Sequence, residues 1–236
     1  MFDLGCRRCE RLAAFLDEVK LTHPEYHARP VAPFGVAAPK LLIVGLAPGM
    51  HGANRTGRPF TGDYAGELLY STLHKFGFAT SGEPLDPTRA PNPALELVGC
   101  RITNAVKCLP PENKPTGDEI KICNGYLAEE LAGLPAGAII LALGNIAHQA
   151  VLKASKCRVA EYRFGHGARH VLPNGHFPHP CPLPGGEGDV APANGRVLYD
   201  SYHCSRYNTQ TKRLTEAMFH QVFASIKEDL KCLMST

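Results

Sequence analysis

The 236-residue sequence has no run of eighteen apolar residues, so no segment is expected to span a membrane. Its first residues, Met1-Phe2-Asp3-Leu4-Gly5-Cys6, lack the basic-then-apolar order of a secretion signal. It has neither a GxxxxGKS/T tract nor GxGxxG spacing, which excludes the two common nucleotide-binding loops. No internal repeat is visible. Neither sign of charge dominates: the net charge of +3 permits a basic patch without imposing one. The nine cysteines are odd in number and follow no secretion signal. That combination favours a cytoplasmic protein whose thiols ligate a metal over one held by disulfides.

With 44% hydrophobic and 20% charged residues, the chain has the balance of an ordinary globule and the length to bury a real core. Residues from about Arg7 to Tyr26 carry apolar side chains at helical spacing. Leu41 to Leu46, Arg101 to Val106, Ala138 to Leu143 and Val197 to Asp200 are short apolar runs suited to buried strands. Between them lie helical patterns from Asp63 to Phe76, from Thr116 onward, and from Gly144-Asn145 through His148 and Leu152. A last helix is predicted from about Thr211 to Leu233. Thr116 and Glu119 form a capping-box signature. This alternation predicts an α/β fold, a single three-layer α/β/α domain over residues 1–236. Its central, mostly parallel sheet has four strands, with ligands at their carboxyl ends. Residues 175–195 are rich in Pro and Gly and are flanked by two Asn-Gly pairs. They read as a surface insertion into a hairpin turn between Val171-Leu172 and Val197-Leu198. The functional alternative there is a metal loop using His176, His179 and Cys181.

Four cysteines stand out. Cys6 and Cys9 form a CxxC, and Cys108 and Cys123 are separated by fourteen residues. Four thiolates can close around an iron–sulfur cluster or a zinc ion and staple distant parts of the chain. Cys100, Cys157, Cys181, Cys204 and Cys232 have no matched spacing. The Gly- and Pro-rich tract from Gly45 to Asp63 follows one strand and precedes a helix, with Phe60 an unexpected loop aromatic. Asn104 ends another strand. The tract from Asp200 to Thr209 leaves the last strand with His203, hydroxyls, Arg206 and Tyr207.

These tracts, in this order, resemble the uracil-DNA glycosylase superfamily over nearly the whole chain. The likeness is to its iron–sulfur family 5 (type b), with family 4 next. The resemblance implies a monofunctional enzyme that flips uracil, or hypoxanthine or xanthine, out of DNA and hydrolyses its glycosidic bond. It implies that Gly45, Ala47 and Gly49 line the base pocket, that Phe60 stacks on the base and that Asn104 reads its edge. His203 would contact O2, and a [4Fe–4S] cluster would sit on Cys6, Cys9, Cys108 and Cys123. Two departures matter. Gly45 to Gly52 contains no carboxylate, so Asp63 becomes the expected water activator, although a helix-starting Asp also has a purely structural reading. Cys204 replaces the family's usual Pro after the histidine. Arg55, Arg58, Lys107, Lys114, Arg206 and Tyr207 are the expected DNA contacts.

The residue chemistry agrees. A stacked base is worth about 1–3 kcal/mol on an aromatic ring. An amide offers a donor and an acceptor to N3–H and O4 of uracil. A hydrogen bond aimed at charge developing on the leaving base is worth about 3 kcal/mol. No lysine in these tracts suits Schiff-base chemistry, so strand cleavage is not expected. The chain is expected to act as a monomer on damaged DNA. The rival readings are a non-catalytic damage-binding module and a redox-sensing cluster protein.

Overall fold

Strands form where β-favouring apolar residues occupy both faces. A computed structural model of the chain describes residues 2–86, 89–173 and 196–234. Six strands make one sheet: β1 (Phe34–Gly35), β2 (Leu41–Gly45), β3 (Cys100–Asn104), β4 (Ile139–Leu143), β5 (Arg169–Leu172) and β6 (Arg196–Ser201). Their order is β1-β3-β2-β4-β6-β5. The four central strands are parallel and are the four expected, while β1 and β5 add antiparallel edges. The expectation of four strands is therefore corrected to six. β1 is two residues long, too short for any periodicity to register, and β5 begins with the polar pair Arg169-His170. The pairing of Val171 with Val197 is the hairpin expected there. The insertion at 175–195 lies outside the described residues.

Alternate residues of each central strand go to opposite faces. Leu41, Ile43, Ile139 and Leu141 pack with Leu69 and Leu73 of α3 (Tyr64–Lys75) and with Phe219, Phe223 and Ile226 of α7 (Glu216–Met234). Leu42, Val44, Ile140 and Ala142 pack with Leu127 and Leu131 of α4 (Gly117–Ala132) and with Val151 of α5 (Asn145–Ala154). Burial on both faces explains why these strands read as continuous apolar runs. Each fully buried Leu or Ile contributes about 1.5–3 kcal/mol. The result is the expected three-layer arrangement.

A third cluster lies outside the sheet. Leu12, Leu16 and Val19 of α1 (Glu10–Thr22) pack against Val106, Cys108, Leu109 and Cys123. This docks the amino-terminal helix onto the segment between β3 and α4. Two short helices form where loops were expected, α2 (Ala53–Thr56) after β2 and α6 (Arg206–Gln210) after β6, and α7 begins at Glu216 rather than near Thr211. Ser205 starts α6 by accepting the Asn208 N–H.

The connections after β2 and β4 run to opposite sides, since β2 leads to β3 on one flank and β4 to β6 on the other. Loops parting in this way leave a crevice at the carboxyl ends of the strands.

Candidate functional site

That crevice holds a cavity of about 380 Å³, with Phe60, Asp63, Asn104 and His203 among its lining residues. Its floor is set by backbone register. Gly45 at the end of β2 pairs with Asn104 at the end of β3. A Cβ on Gly45 would lie 2.5 Å from Asn104 Oδ1 and 2.7 Å from the Phe60 ring, so only glycine lets the two side chains meet over this strand end. Asn104 is 3% exposed, and its Oδ1 is buried without a hydrogen-bond partner among the described residues. An orphaned buried acceptor is costly and rare.

Phe60 is held in a left-handed backbone conformation (φ 53°) and is buried, at 6% exposure. Strain of about 1–3 kcal/mol at a non-glycine residue persists only where surrounding contacts impose it. Here the Tyr70 hydroxyl donates to the Pro59 carbonyl at 2.8 Å, immediately before the strained residue. The Phe60 ring stacks toward His203, with centroids 5.8 Å apart and planes 28° from parallel.

Asp63 is the N-cap of α3, and its Oδ1 accepts the Gly66 N–H at 3.1 Å. Its other oxygen faces the glycine loop: a Cβ on Gly52 would come within 2.3 Å of Oδ2, and one on Gly49 within 3.3 Å. Capping thus occupies one carboxylate oxygen, so the structural and catalytic readings of this residue are compatible. Burial raises the Asp63 carboxyl above its ordinary range, against lowering hydrogen bonds from the Gly66 and Ala65 amides.

His203 follows β6. The Asn208 side chain donates to its carbonyl at 2.8 Å, bracing the turn into α6. Burial pushes its imidazole down to about 4, so it is neutral at physiological pH and carries one N–H to donate. Cys204, where the family's usual residue is Pro, is fully buried, and its thiol donates to the Ala65 carbonyl at 3.3 Å. The turn is therefore tied to α3 by a hydrogen bond that Pro could not make.

Ala47 and Gly49 also line the cavity. At its rim stand Arg206, whose guanidinium lies 5.6 Å from the Tyr64 ring centroid, and Tyr64 itself. Tyr207 is 71% exposed on the same short helix. Among the other expected DNA contacts, Arg55 donates to the His51 carbonyl at 2.9 Å and Arg58 to the Asn92 carbonyl at 2.9 Å. Lys114 is exposed and pairs with Glu112. Lys107 is a correction. It is 1% exposed, its ammonium bonds Thr103 and lies 2.5 Å from Glu130, and it cannot touch a phosphate. Tyr64, Asn113 and Ser205 line the cavity without having been singled out in the sequence. Asn113 lay in a conspicuous Pro-rich tract, but nothing in its spacing pointed to a pocket.

The four paired cysteines line one narrow cleft: Cys6 and Cys9 at the start of α1, Cys108 beyond β3 and Cys123 within α4. Arg8 and Tyr126 flank it, with the Arg8 guanidinium 4.5 Å from the Tyr126 ring centroid. Burial pushes the Cys9 thiol up to about 11 and Cys108 up to about 12, each raised further by the neighbouring cysteines. Burial also acts upward on Cys6, but hydrogen bonds involving Tyr126 and Arg8 outweigh it and lower that thiol. Among the described residues, only His148, His170 and Asp200 bring three ligand atoms within 4.8 Å of one another. The cysteine sulfurs are therefore spread more widely than four ligands of a single zinc ion, and their all-thiolate chemistry fits an iron–sulfur cluster.

An aromatic face, an amide edge, a carboxylate and a neutral imidazole converge at the strand ends of a parallel α/β sheet, which defines a pocket for a planar heterocycle. The chain belongs to the uracil DNA glycosylase superfamily, whose profile it matches over residues 32–227. It is similar to the type-5 uracil-DNA glycosylase of Thermus thermophilus, with 42% identity over 228 residues covering 94% of this chain and 93% of the relative. The type-5 enzyme of Pyrobaculum aerophilum is 36% identical over 234 residues, covering 98% of this chain and 91% of the relative. A type-4 uracil-DNA glycosylase of the same organism is 34% identical over 114 residues, 48% of each chain.

Proposed function

We propose that this protein is a DNA-repair glycosylase that flips uracil from DNA and hydrolyses its glycosidic bond, leaving an abasic site. Hypoxanthine and xanthine are further substrates in this reading. The observation that carries it is the orphaned Oδ1 of Asn104 beside the Phe60 ring. Uracil N3–H would supply the missing donor to Oδ1, while the amide nitrogen donates to O4. Flipping provides access, since the target bond is otherwise inside the duplex.

In the reaction, water forms a bond to C1′ as the C1′–N1 bond breaks, and the bonding pair leaves with the base. Asp63 orients the water and takes its proton, a task suited to a carboxylate raised by burial. His203 donates its N–H to O2 of the base, where the negative charge develops. A neutral imidazole serves here, because the donor must strengthen its bond in the transition state without first pairing with an ion. Lys107 is engaged with Glu130, which supports base loss without Schiff-base strand cleavage.

Cys6, Cys9, Cys108 and Cys123 would hold a [4Fe–4S] cluster. When bound, it supplies a structural crosslink between α1 and the β3–α4 segment. Arg206, Tyr207, Arg55 and Lys114 form the side offered to DNA, with Arg206 and Tyr207 placed to enter the space left by the base. Arg58, half-buried, donates to the Asn92 carbonyl and lies over the Phe34 ring, which ties the loop after β2 to these segments.

Base release from a uracil-containing duplex under single-turnover conditions tests the proposal. Wild-type protein should release free uracil and leave an alkali-labile abasic site. Tight binding without base release would make it a damage-binding module instead.

A further inference from the structure

Where a strand leaves its sheet, the next backbone donors need partners outside the ladder. β6 ends at Ser201, whose carbonyl accepts the Gly144 N–H at 2.8 Å, and the chain then passes through Tyr202 to His203. The Tyr202 N–H is the first donor beyond the strand. It donates to Nδ1 of His166 at 3.2 Å, a side chain that neither the base contacts nor the water use.

His166 lies just ahead of β5, and its ring is fixed from both sides. Nε2 faces the Met218 carbonyl of α7 at 3.3 Å. A backbone amide only donates and a carbonyl only accepts, so Nδ1 carries the lone pair and Nε2 the proton. The Ser201 hydroxyl, 3.4 Å from Nδ1, donates instead to the Tyr202 carbonyl at 2.9 Å. Burial lowers the His166 pKa, which keeps this neutral tautomer populated at physiological pH. The segment that carries the ring is locked to β6. Gly167 donates to the Asp200 carbonyl, and the Asp200 amide donates to the Ala168 carbonyl, each at 2.9 Å.

Tyr202 is held by its ring as well as by its backbone. It stacks on His166 with centroids 5.1 Å apart and planes 24° from parallel, and the Arg213 guanidinium lies 4.7 Å from its centroid. The Tyr202 ring packs against the core on the α7 side, whereas the next residue, His203, lines the cavity. Beyond His203, the Asn208 amide and the Cys204 thiol fix the chain. His166 is the matching restraint on the other side. We propose that His166 is a positioning residue: by holding the Tyr202 N–H it sets the direction in which the chain delivers the His203 imidazole to the departing base. The proposal rests on the glycosylase reading for the role of His203. A misplacement of about 1 Å can cost on the order of a hundredfold in rate, so one backbone hydrogen bond here acts on catalysis far more than on DNA binding.

Two substitutions separate the acceptor from the ring. His166→Phe keeps an aromatic face for Tyr202 and removes the acceptor. His166→Asn removes the ring and places Oδ1 where Nδ1 stood, so it still accepts the Tyr202 N–H. Neither keeps the bond to the Met218 carbonyl, so a loss from that side is common to both. On a uracil-containing duplex, His166→Phe should lower the single-turnover rate about tenfold with Kd unchanged, and His166→Asn should recover most of the rate. In a His203→Ala background, His166→Phe should change the residual rate by less than about twofold, because nothing is left to position. Amide hydrogen exchange at Tyr202 should be about tenfold faster in His166→Phe and near wild type in His166→Asn. A His166→Phe enzyme as fast as wild type would overturn the proposal. So would equal losses in the two variants, or a loss that persists undiminished without the His203 side chain. Wild-type protein that releases no uracil would sink the glycosylase reading alone. The His203 ring nitrogen shifts then decide the positioning: movement in His166→Phe that His166→Asn reverses supports it, and shifts unmoved in His166→Phe overturn it.

Discussion

Asn104, Phe60, Asp63 and His203 occupy one cavity, yet each is held by different physics, and this makes their substitutions separable. Asn104→Ala would leave the base edge without a partner, costing on the order of 1–3 kcal/mol of uracil recognition. It should also relieve the unpaired acceptor in the free protein, so thermal stability should hold or rise while uracil excision falls. Melting temperature and single-turnover rate measured on one preparation check both outcomes. His203→Ala should lower the single-turnover rate by roughly a hundredfold with DNA affinity nearly unchanged, because its hydrogen bond strengthens only as the base departs.

Asp63 and His203 also predict a pH profile. Water activation requires the Asp63 carboxylate to be ionised, so the rate should fall as pH drops through its raised pKa. That acid limb should lie above the ordinary carboxylate range. His203, pushed down to about 4, stays neutral over the whole assay range and adds no limb of its own. Asp63→Asn should be slow and flat with pH. An Asp63→Asn enzyme as fast as wild type would mean that the backbone around Gly49 suffices to hold the water.

At the scale of elements, β3 and α4 are joined by a buried ion pair. The Lys107 ammonium bonds Thr103 on β3 and pairs with Glu130 on α4. Burial lowers the Lys107 pKa, and Glu130 opposes that shift. Lys107→Ala should destabilise the fold by about 3–5 kcal/mol, because the partner carboxylate is left uncompensated. Lys107→Met fills the space but also strands Glu130. The double variant Lys107→Met/Glu130→Leu should recover most of the loss, as urea denaturation would show. A Lys107→Ala protein with native stability and weakened DNA binding would return this residue to the DNA surface. The position illustrates a limit of the sequence: a lysine in a catalytic tract reads as a phosphate contact, and only the docking of α4 on β3 turns it inward.

At the scale of the molecule, two features connect distant segments. His148 on α5 faces the Tyr162 carbonyl with Nε2 at 3.0 Å and Asp200 Oδ1 with Nδ1 at 2.8 Å. Carbonyl and carboxylate both accept, so the ring carries both protons. Burial lowers the His148 pKa, but Asp200 outweighs it and the net shift is upward. A raised folded-state pKa gives stability that is fully present below the ordinary histidine value and lost as pH rises through the raised one. Urea midpoints should therefore decline as pH rises past the ordinary histidine range, and Asp200→Asn should remove that slope.

The cysteine cleft joins α1 to the β3–α4 segment. Protein purified without oxygen should be brown and hold about four irons with matching sulfide. Cys108→Ala should lower stability more than Cys100→Ala, which removes an isolated thiol. A colourless, fully folded protein with one zinc would overturn the cluster assignment. Deleting the residues between Asn174 and Gly195 should leave excision intact. Leu172 already pairs with Arg196, so three residues would close the β5–β6 hairpin.

The sequence by itself determined the four central strands, because burial on both faces leaves an uninterrupted apolar run that needs no tertiary information to recognise. It likewise determined the Thr116 capping box, a contact within four residues, and the tracts that carry Phe60, Asp63, Asn104 and His203. The tertiary structure decided the rest, where the deciding contact lies far away in sequence. The edge strands β1 and β5 owe their existence to pairing with β3 and β6. Gly45 is required because Asn104, fifty-nine positions later, lies opposite it in the sheet. Asn113 joins the cavity through a turn clamped by Arg11, and Lys107 leaves the surface because Glu130 waits on a packed helix. Local patterning carries periodicity and caps; partners of buried polar groups are chosen only when the layers close.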